Sequence, residues 1–233
     1  MKTVLLKFAG PLQSWGTSSH FEIRHTDPHP SKSAVLGMIA AAMGYRRKEE
    51  RIRDLNQLQF AVRTDQAGRV TEDYQTAHKY KFKPDPFVER TYVTHRYYLE
   101  DAVFVAALGH ENDRWIDEIV YALRHPYFSL YLGRRSCPLP EDFILKVTDQ
   151  NAVASLEKEP LQSSEWYRRR HVGPVFIYAD AQLLPGKPAA LRRDQISSLS
   201  WEDRAYEWRQ EAETHFNISE HPEEHDVFAA LGD

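Results

Sequence analysis

The pattern of hydrophobic and polar positions along the chain predicts a series of strands and helices. Residues 3–9 alternate in polarity and stop at Gly10-Pro11, which predicts a strand followed by a turn. Residues 34–43 are apolar nearly all round and follow Ser31-Lys32-Ser33, which predicts a buried helix with a serine N-cap. Residues 113–123 carry apolar side chains at helical spacing and predict an amphipathic helix. The further predicted strands are Gln59–Thr64, Ala102–Leu108, Phe128–Leu132, Phe143–Val147 and Val175–Tyr178.

Two long segments lack a clean period. Residues 12–30 contain a tryptophan, three histidines and two prolines and predict a long loop, whereas residues 66–98 are polar and aromatic and predict an extended insertion. The order strand, helix, strand, insertion, strand, helix, strand is that of an α+β, ferredoxin-like βαββαβ fold. The commonest RNA-binding module is built on the same order.

The composition excludes several kinds of protein. The chain has 233 residues, enough for one large domain or two small ones, and its single cysteine, Cys137, excludes an intramolecular disulfide framework. It shows no signal peptide and no apolar run near the ~20 residues of a membrane span, so we expect a cytoplasmic protein without a membrane partner. His20, His25 and His29 match no standard spacing of metal ligands, and we expect neither a metal nor another cofactor.

Charge is distributed unevenly along the chain. The net charge is −4, but residues 202–233 contain ten acidic residues and two arginines, so residues 1–201 carry a net charge of +4. Basic residues cluster at 46–48, 134–135 and 168–170, and five more lie among six aromatic residues between 78 and 98. Cations beside aromatic rings suit a surface that binds phosphates and stacks on bases. Solvated protein faces carry similar clusters, so composition alone leaves both interpretations open.

Metal-independent RNA cleavage is a sharper hypothesis for the segment between 78 and 98. It requires a general base and a general acid near the 2′-hydroxyl and the leaving oxygen. His78, Tyr80 and Lys81 are side chains of suitable kinds. Because the sequence fixes no geometry between them, phosphate contact without reaction remains the alternative.

Four motifs in order along the chain resemble the CasD family of the RAMP superfamily, the subunits of the type I-E CRISPR Cascade complex that bind the 5′ handle of CRISPR RNA (crRNA). The motifs are Ala-Gly-Pro-Leu-Gln-Ser-Trp-Gly at 9–16, Ser-Lys-Ser-Ala-Val-Leu-Gly-Met-Ile-Ala-Ala-Ala-Met-Gly at 31–44, Thr-His-Arg-Tyr-Tyr-Leu-Glu-Asp-Ala-Val-Phe at 94–104 and Tyr-Leu-Gly-Arg-Arg-Ser-Cys-Pro-Leu at 131–139. The similarity extends to about residue 140 and resumes weakly toward residue 209.

This resemblance implies a fold and a division of the chain. Residues 1–140 are expected to form a ferredoxin-like RNA-binding domain, with a β-hairpin called the thumb inserted at about 66–98. Residues 141–214 are expected to form a smaller C-terminal β-rich region, and residues 215–233 an acidic tail with the composition of a mobile end.

The resemblance also implies a function. It predicts a non-catalytic RNA-binding subunit of Cascade in prokaryotic antiviral defence, without catalytic residues. Its expected partners are the crRNA 5′ handle, the backbone subunit, the large subunit and, through the guide, target DNA. The equivalent type I-C subunit is itself the processing nuclease, so an endoribonuclease that cuts CRISPR repeat RNA is the alternative. A scaffold without RNA contact is disfavoured by the clustered arginines.

Candidate RNA-binding residues follow from the motifs and the basic clusters. Ser31-Lys32-Ser33 begins a buried helix, where free N–H groups favour a phosphate, although a plain serine cap fits equally well. The amide of Gln13 suits a base edge, and the indole of Trp15 suits either stacking or the core. The full predicted set is Gln13, Ser14, Trp15, Gly16, Arg24, Ser31, Lys32, Ser33, His78, Lys79, Lys81, Arg96, Arg134, Arg135, Cys137 and Arg168.

Overall fold

The fold combines helices with a large antiparallel sheet. A computed structural model describes residues 1–17, 22–81, 87–171, 173–200 and 202–217, with the side chains of 81, 87 and 88 outside the description. The strands are β1 (Lys2–Ala9), β2 (Leu12–Gln13), β3 (Ile23–Arg24), β4 (Gln59–Gln66), β5 (Arg69–Lys81), β6 (Phe87–Glu100), β7 (Val103–His110), β8 (Ile144–Thr148), β9 (Pro174–Asp180), β10 (Ala189–Leu199) and β11 (Arg204–Asn217). The helices are α1 (Lys32–Ala42), α2 (Arg51–Asp54), α3 (Asp113–Arg124), α4 (Ala152–Lys158) and α5 (Glu165–Arg170).

The main sheet has seven antiparallel strands in the order β10-β11-β9-β4-β7-β1-β8. Its central strand β7 is a continuous apolar run because both of its faces are covered. Phe104, Ala106 and Leu108 face the larger hydrophobic cluster beneath α1 and α3, while Val105 and Ala107 face the smaller cluster beneath α4. Alternate side chains of a strand point to opposite faces, so one sequence run supplies both clusters.

Both predicted helices are confirmed. The N-cap of α1 is Ser31, whose Oγ accepts a hydrogen bond from the Ala34 N–H, and the N-cap of α3 is Asn112, whose side chain accepts from the Trp115 N–H. Every residue of α3 that is buried lies on one stripe, as its spacing predicts: Ile116, Ile119, Val120 and Leu123.

The strand predicted at Phe128–Leu132 is wrong. In this segment only Tyr131 forms a β-bridge, an isolated one with Pro138. The backbone N–H groups of Tyr127 and Phe128 donate instead to the carbonyls of Ala42 and Ala41, at the end of α1. The last carbonyls of a helix lack partners within it, so the segment caps α1 rather than joining the sheet.

The segment predicted as an insertion is a long hairpin. Strands β5 and β6 pair from Arg69 opposite Glu100 to Lys81 opposite Phe87, and residues 82–86, which separate the two strands in sequence, lie outside the described part. At its base Gly68 has a φ of +72°, and a Cβ there would lie 2.5 Å from the Glu100 carbonyl oxygen. Only glycine fits this position without displacing the backbone.

The segment predicted as a long loop is tied to the hairpin at two points. Strand β2 pairs with the end of β6 in antiparallel fashion, and β3 pairs in parallel with the middle of β6. Residues 18–21, which include His20, are not described. These short pairings hold residues 12–13 and 23–24 against β6.

Strands after residue 140 join the same sheet as those before it. Strand β8 pairs with β1, and β9 pairs with β4, so the sheet runs through both regions expected from the sequence. Residues 215–217 of the expected tail belong to β11, and its remainder, 218–233, lies outside the described residues. None of the helices described has the length and apolar character needed to cross a membrane.

Candidate nucleic-acid interface

Three arginines from separate parts of the chain meet beside β6. Arg24 on β3 lies opposite Arg96 on β6 in the parallel pairing. Arg134 approaches from the loop before β8, and its Nη2 donates to the Arg24 carbonyl oxygen at 2.9 Å. Its guanidinium carbon lies 4.3 Å from the ring centroid of the buried Tyr98. We call these three arginines and the neighbouring, exposed Arg135 the arginine cluster.

The arginine cluster has unmet hydrogen-bonding capacity. Within the described ranges, no carboxylate lies within 4.0 Å of Arg24, Arg96, Arg134 or Arg135. Arg96 Nε and Arg134 Nη1 are buried there without a hydrogen-bond partner. Buried donors usually have a partner, and guanidinium groups bind phosphate oxygens with matched geometry. The cluster is therefore suited to an anionic ligand with several oxygens.

Two of the sequence motifs are joined behind the arginine cluster. Gly133 has a φ of +81°, and a Cβ there would lie 1.6 Å from the Ser14 carbonyl oxygen. The Ser14 N–H donates to the Leu132 carbonyl at 3.2 Å, and its hydroxyl donates to the Tyr97 carbonyl at 3.3 Å. The loop before β8 is thereby held against the segment at 13–16 and against β6.

Gln13 and Trp15 are turned inward. Gln13 Nε2 donates to the carbonyls of Phe8 and Ala102 at 3.2 and 2.7 Å, and its Oε1 accepts from Trp15 Nε1 at 3.1 Å. The indole of Trp15 packs on Phe8 with ring centroids 5.3 Å apart. In this arrangement neither side chain is presented to a ligand, while the adjacent Gly16 is exposed. Of the two interpretations of Trp15, the structure favours the core.

A carboxylate from another part of the chain binds the N-terminal end of α1. The backbone N–H of Lys32 donates to Asp194 Oδ2 at 2.8 Å, so a carboxylate stands where the sequence predicts a phosphate. Lys32 Nζ is buried, donates to Asp180 Oδ2 and the Asn56 carbonyl at 3.0 Å each, and has its pKa lowered by burial. Ser31 is buried as the N-cap and Ser33 is half-buried. The expectation of a phosphate at this helix start is corrected for this reason.

The hairpin residues lie away from the arginine cluster. His78 pairs with Thr91 whereas Arg96 pairs with Asp73, so they are five positions apart along the ladder, or ~17 Å. His78 Nδ1 lies 3.0 Å from Thr91 Oγ1, and the rings of His78 and Tyr80 meet edge to face at 6.2 Å.

Of the two hairpin lysines, Lys79 and Lys81, only Lys79 has a described side chain. Lys79 Nζ pairs with Glu89 at 2.8 Å, and this hydrogen bond raises the pKa of Lys79. The side chain of Lys81 is outside the described part. Of the three residues in the nuclease hypothesis, His78 and Tyr80 are in contact, and the position of the Lys81 side chain is not described.

The two remaining predicted residues differ in burial, because Cys137 is buried and Arg168 is exposed. Cys137 is buried, burial raises the pKa of its thiol, and its backbone closes a tight turn with Leu132 and Arg134. This makes it a packing residue that supports the loop of Arg134. Arg168 is exposed on α5, which contacts the hairpin base where the Ala67 N–H donates to Tyr167 Oη at 3.5 Å.

Sequence reasoning missed three residues around the arginine cluster. Tyr98 carries the stacked guanidinium of Arg134, and the aromatic pair at 97–98 is its only signal in the sequence. Asp27, three residues after Arg24, and Arg192, which donates a hydrogen bond to it, are 165 residues apart and leave no local pattern. Among the described residues, no group of three or more His, Cys, Asp or Glu is placed to hold a metal ion.

Comparison with known proteins identifies relatives over most of the chain. Residues 3–215 match the profile of a family described as CRISPR-associated protein (Cas5). The chain is 34% identical over 158 residues to the CRISPR system Cascade subunit CasD of Escherichia coli K12, covering 61% of this chain and 69% of that protein.

Two solved structures share the fold. One, described as a CRISPR RNA-guided surveillance complex, contains a chain that is 30% identical, with a TM-score of 0.75 and coverage of 93% of this chain and 90% of that one. Another, described as a Cas protein, is 29% identical, with a TM-score of 0.65 and coverage of 92% and 95%. The resemblance found in the sequence is confirmed by these matches.

Proposed function

The chain belongs to the Cas5 family of CRISPR-associated proteins, and on this premise we propose that it is a non-catalytic subunit of a type I-E surveillance complex that binds the 5′ handle of crRNA. CasD of Escherichia coli, named as a Cascade subunit, supports assignment to such a complex. The chain's partners would then be the handle, the backbone and large subunits and, through the guide, target DNA.

The observation that carries this proposal is the arginine cluster. Its arginines come from β3, β6 and the loop before β8, where Arg24 pairs with Arg96 and Arg134 donates to the Arg24 carbonyl, and none has a carboxylate partner in the described ranges. Neighbouring arginines without a carboxylate in ion-pair distance suit the phosphates of a sharply turned strand, whose oxygens lie close together. Arg96 belongs to the motif at 94–104, and Arg134 and Arg135 belong to the motif at 131–139, which are two of the four motifs that carry the family resemblance.

Aromatic rings beside the cluster support single-stranded rather than duplex RNA. Arg134 stacks on Tyr98, and the rings of His25 and Tyr97 stack with centroids 5.3 Å apart and 14° between their planes. Single-stranded RNA is recognised by stacking unpaired bases on aromatic and guanidinium planes. A 5′ handle offers such bases.

The strand order supports the architecture that accompanies this function. Strands β1, β4, β7 and β8 with helices α1 and α3 give the order β4-β7-β1-β8, that of a ferredoxin-like βαββαβ unit. We assign the β5–β6 hairpin as the thumb that contacts the backbone subunit. Strands β9–β11 would be the smaller C-terminal region, added to the edge of the body's sheet.

The absence of catalysis is part of the proposal, and the test separates it from the nuclease alternative. Purified protein is incubated in EDTA with labelled repeat RNA and, separately, with a mature guide carrying a free 5′ handle. We expect tight binding of the mature guide, weaker binding of the same guide without its handle, and intact repeat RNA. Cleavage at the 5′ boundary of the handle, abolished by His78→Ala or Tyr80→Phe, would establish the nuclease instead.

A further inference from the structure

We propose that Asp27 and Arg192 position the arginine cluster from behind, which makes the C-terminal strand pair β10–β11 part of the RNA site although it does not contact RNA. This inference rests on the proposed function. It concerns two residues that carry no motif and are themselves largely buried, with side-chain exposures of 18% for Asp27 and 12% for Arg192.

Asp27 connects the chain after Arg24 to the chain at Thr17, which precedes it in sequence. Its Oδ2 accepts a hydrogen bond from Thr17 Oγ1 at 2.9 Å, across a separation of ten residues. Next to it, Thr26 Oγ1 accepts from the Trp15 N–H at 3.0 Å and donates to the Asp27 carbonyl at 3.1 Å. The chain before residue 18 and the chain after residue 24 are thus fastened to each other at one carboxylate.

Arg192 fastens this junction to β10. Its Nη2 donates to Asp27 Oδ2 at 2.9 Å and to the His29 carbonyl at 3.2 Å, while its Nη1 donates to Glu211 at 3.2 Å. The ring of His29 stacks on Tyr178 at 3.9 Å and lies 2.7 Å from Arg192 Nη1 through its Nδ1. The guanidinium of Arg192 therefore holds residues 27–29 against β10 and β11, and the ring of His29 adds a contact with β9.

The ion pairs around Arg192 extend through Asp194 to the start of α1. Arg209 donates to Asp194 at 2.8 and 3.0 Å and to Asp180 at 3.1 Å, and Asp194 accepts from the Lys32 N–H. Both ends of the stretch from Asp27 to Lys32 are therefore anchored in one buried ionic network. A buried network of this kind holds its geometry because removing any one charge leaves its partner uncompensated.

A shift of this stretch would be transmitted directly to the cluster. Arg24 is three residues before Asp27, and its carbonyl oxygen is the acceptor that holds Arg134. If Asp27 no longer holds Thr17 and Arg192, the position of Arg24 and the anchor of Arg134 both loosen. The arginines then neutralise fewer phosphates at the same time.

The test compares how strongly salt weakens RNA binding in matched variants. We expect Asp27→Asn to lower the affinity for 5′-handle RNA about tenfold and to reduce the slope of log K against log salt by ~0.7 for each phosphate that the variant no longer neutralises. Thr17→Val, a milder change at the same junction, should shift both quantities in the same direction and serves if Asp27→Asn does not fold. Asp117→Asn is the control, because Asp117 is an exposed aspartate on α3 that pairs with Lys2 outside this network.

The salt slope distinguishes positioning from simple destabilisation. A variant that only lowers the folded fraction gives a line displaced from wild type but parallel to it. Parallel lines for Asp27→Asn and Thr17→Val, or affinities equal to wild type, would overturn this inference while leaving the proposed function intact. A wild-type protein that does not bind handle RNA would instead overturn the proposed function.

Discussion

A Cβ atom built on Gly133 would lie 1.6 Å from the carbonyl oxygen of Ser14. No side chain can occupy that space, so the loop that carries Arg134 and Arg135 reaches its position only because residue 133 is glycine. The contact joins two segments more than a hundred residues apart, and both bear on the proposed RNA site.

Gly133→Ala is therefore predicted to displace the arginine loop. Its cost should exceed the ~1–2 kcal/mol that a left-handed backbone alone imposes on alanine, because the Ser14 backbone must also move. The midpoint temperature of thermal unfolding and the affinity for RNA should both decrease. Gly186→Ala is the matched control, since Gly186 has the same φ of +81° but nothing within 4 Å of its Cβ position. Equal losses in the two variants would contradict the role of the Ser14 contact.

Lys32→Met is predicted to lower stability without removing an RNA contact. Lys32 is buried and paired with Asp180, so its loss should cost about 3 kcal/mol, the lower end for breaking a buried pair, because Asp180 keeps Arg209 and the Phe60 N–H. Denaturant unfolding measures this loss. Lys48→Met, at an exposed pair with Glu202, should change little. A smaller salt slope of RNA binding in Lys32→Met would show that Lys32 contacts phosphate after all.

His29 is predicted to make stability depend on pH. Burial, followed by the charge of Arg192, lowers the pKa of His29 from 6.5 to about 3, with Asp27 and Arg209 as further charges nearby. The unfolded chain therefore binds more protons between these values, and the free energy of unfolding should fall as the pH drops from about 6.5 toward 3. The contribution of one group is at most about 1.4 kcal/mol per pH unit.

Comparison of His29→Gln with wild type isolates this contribution. The variant should show a flatter dependence of the free energy of unfolding on pH between about 4 and 6, measured by denaturant titration. The exposed His125→Gln should keep the wild-type dependence. An equally steep profile in His29→Gln would mean that other groups, such as the carboxylates of the ionic network, account for the pH effect.

Much of the fold could be predicted because its signals are local. The apolar run of β7, the stripe of α3 and the serine cap of α1 each reflect residues close in sequence. The function of Ser31-Lys32-Ser33 could not be predicted, since the carboxylate that occupies the helix start belongs to Asp194, 162 residues from Lys32. A helix start attracts an anion in either case, and sequence does not tell a phosphate from an internal carboxylate.

The arginine cluster was predictable in its members but not in its assembly. Arg24, Arg96, Arg134 and Arg135 belong to the set expected from the sequence, yet the parallel pairing of β3 with β6 that places two of them together has no local signal. The side chains at 13 and 15 lie in the same motif as Ser14 but point into the core, where they hydrogen-bond to each other. Family motifs thus mix contact residues with residues that shape the loop.

The central claim is tested most directly by the affinity of Arg134→Gln for 5′-handle RNA. Arg134 stacks on Tyr98 and has a buried N–H group without a partner in the described part, so its loss should weaken binding by about tenfold or more and reduce the salt slope. Arg114→Gln is the matched control, an exposed arginine on α3 paired only with Glu118 among the residues described. Weakened binding in Arg134→Gln alone is the result we predict. Equal affinity in wild type and both variants would contradict the account.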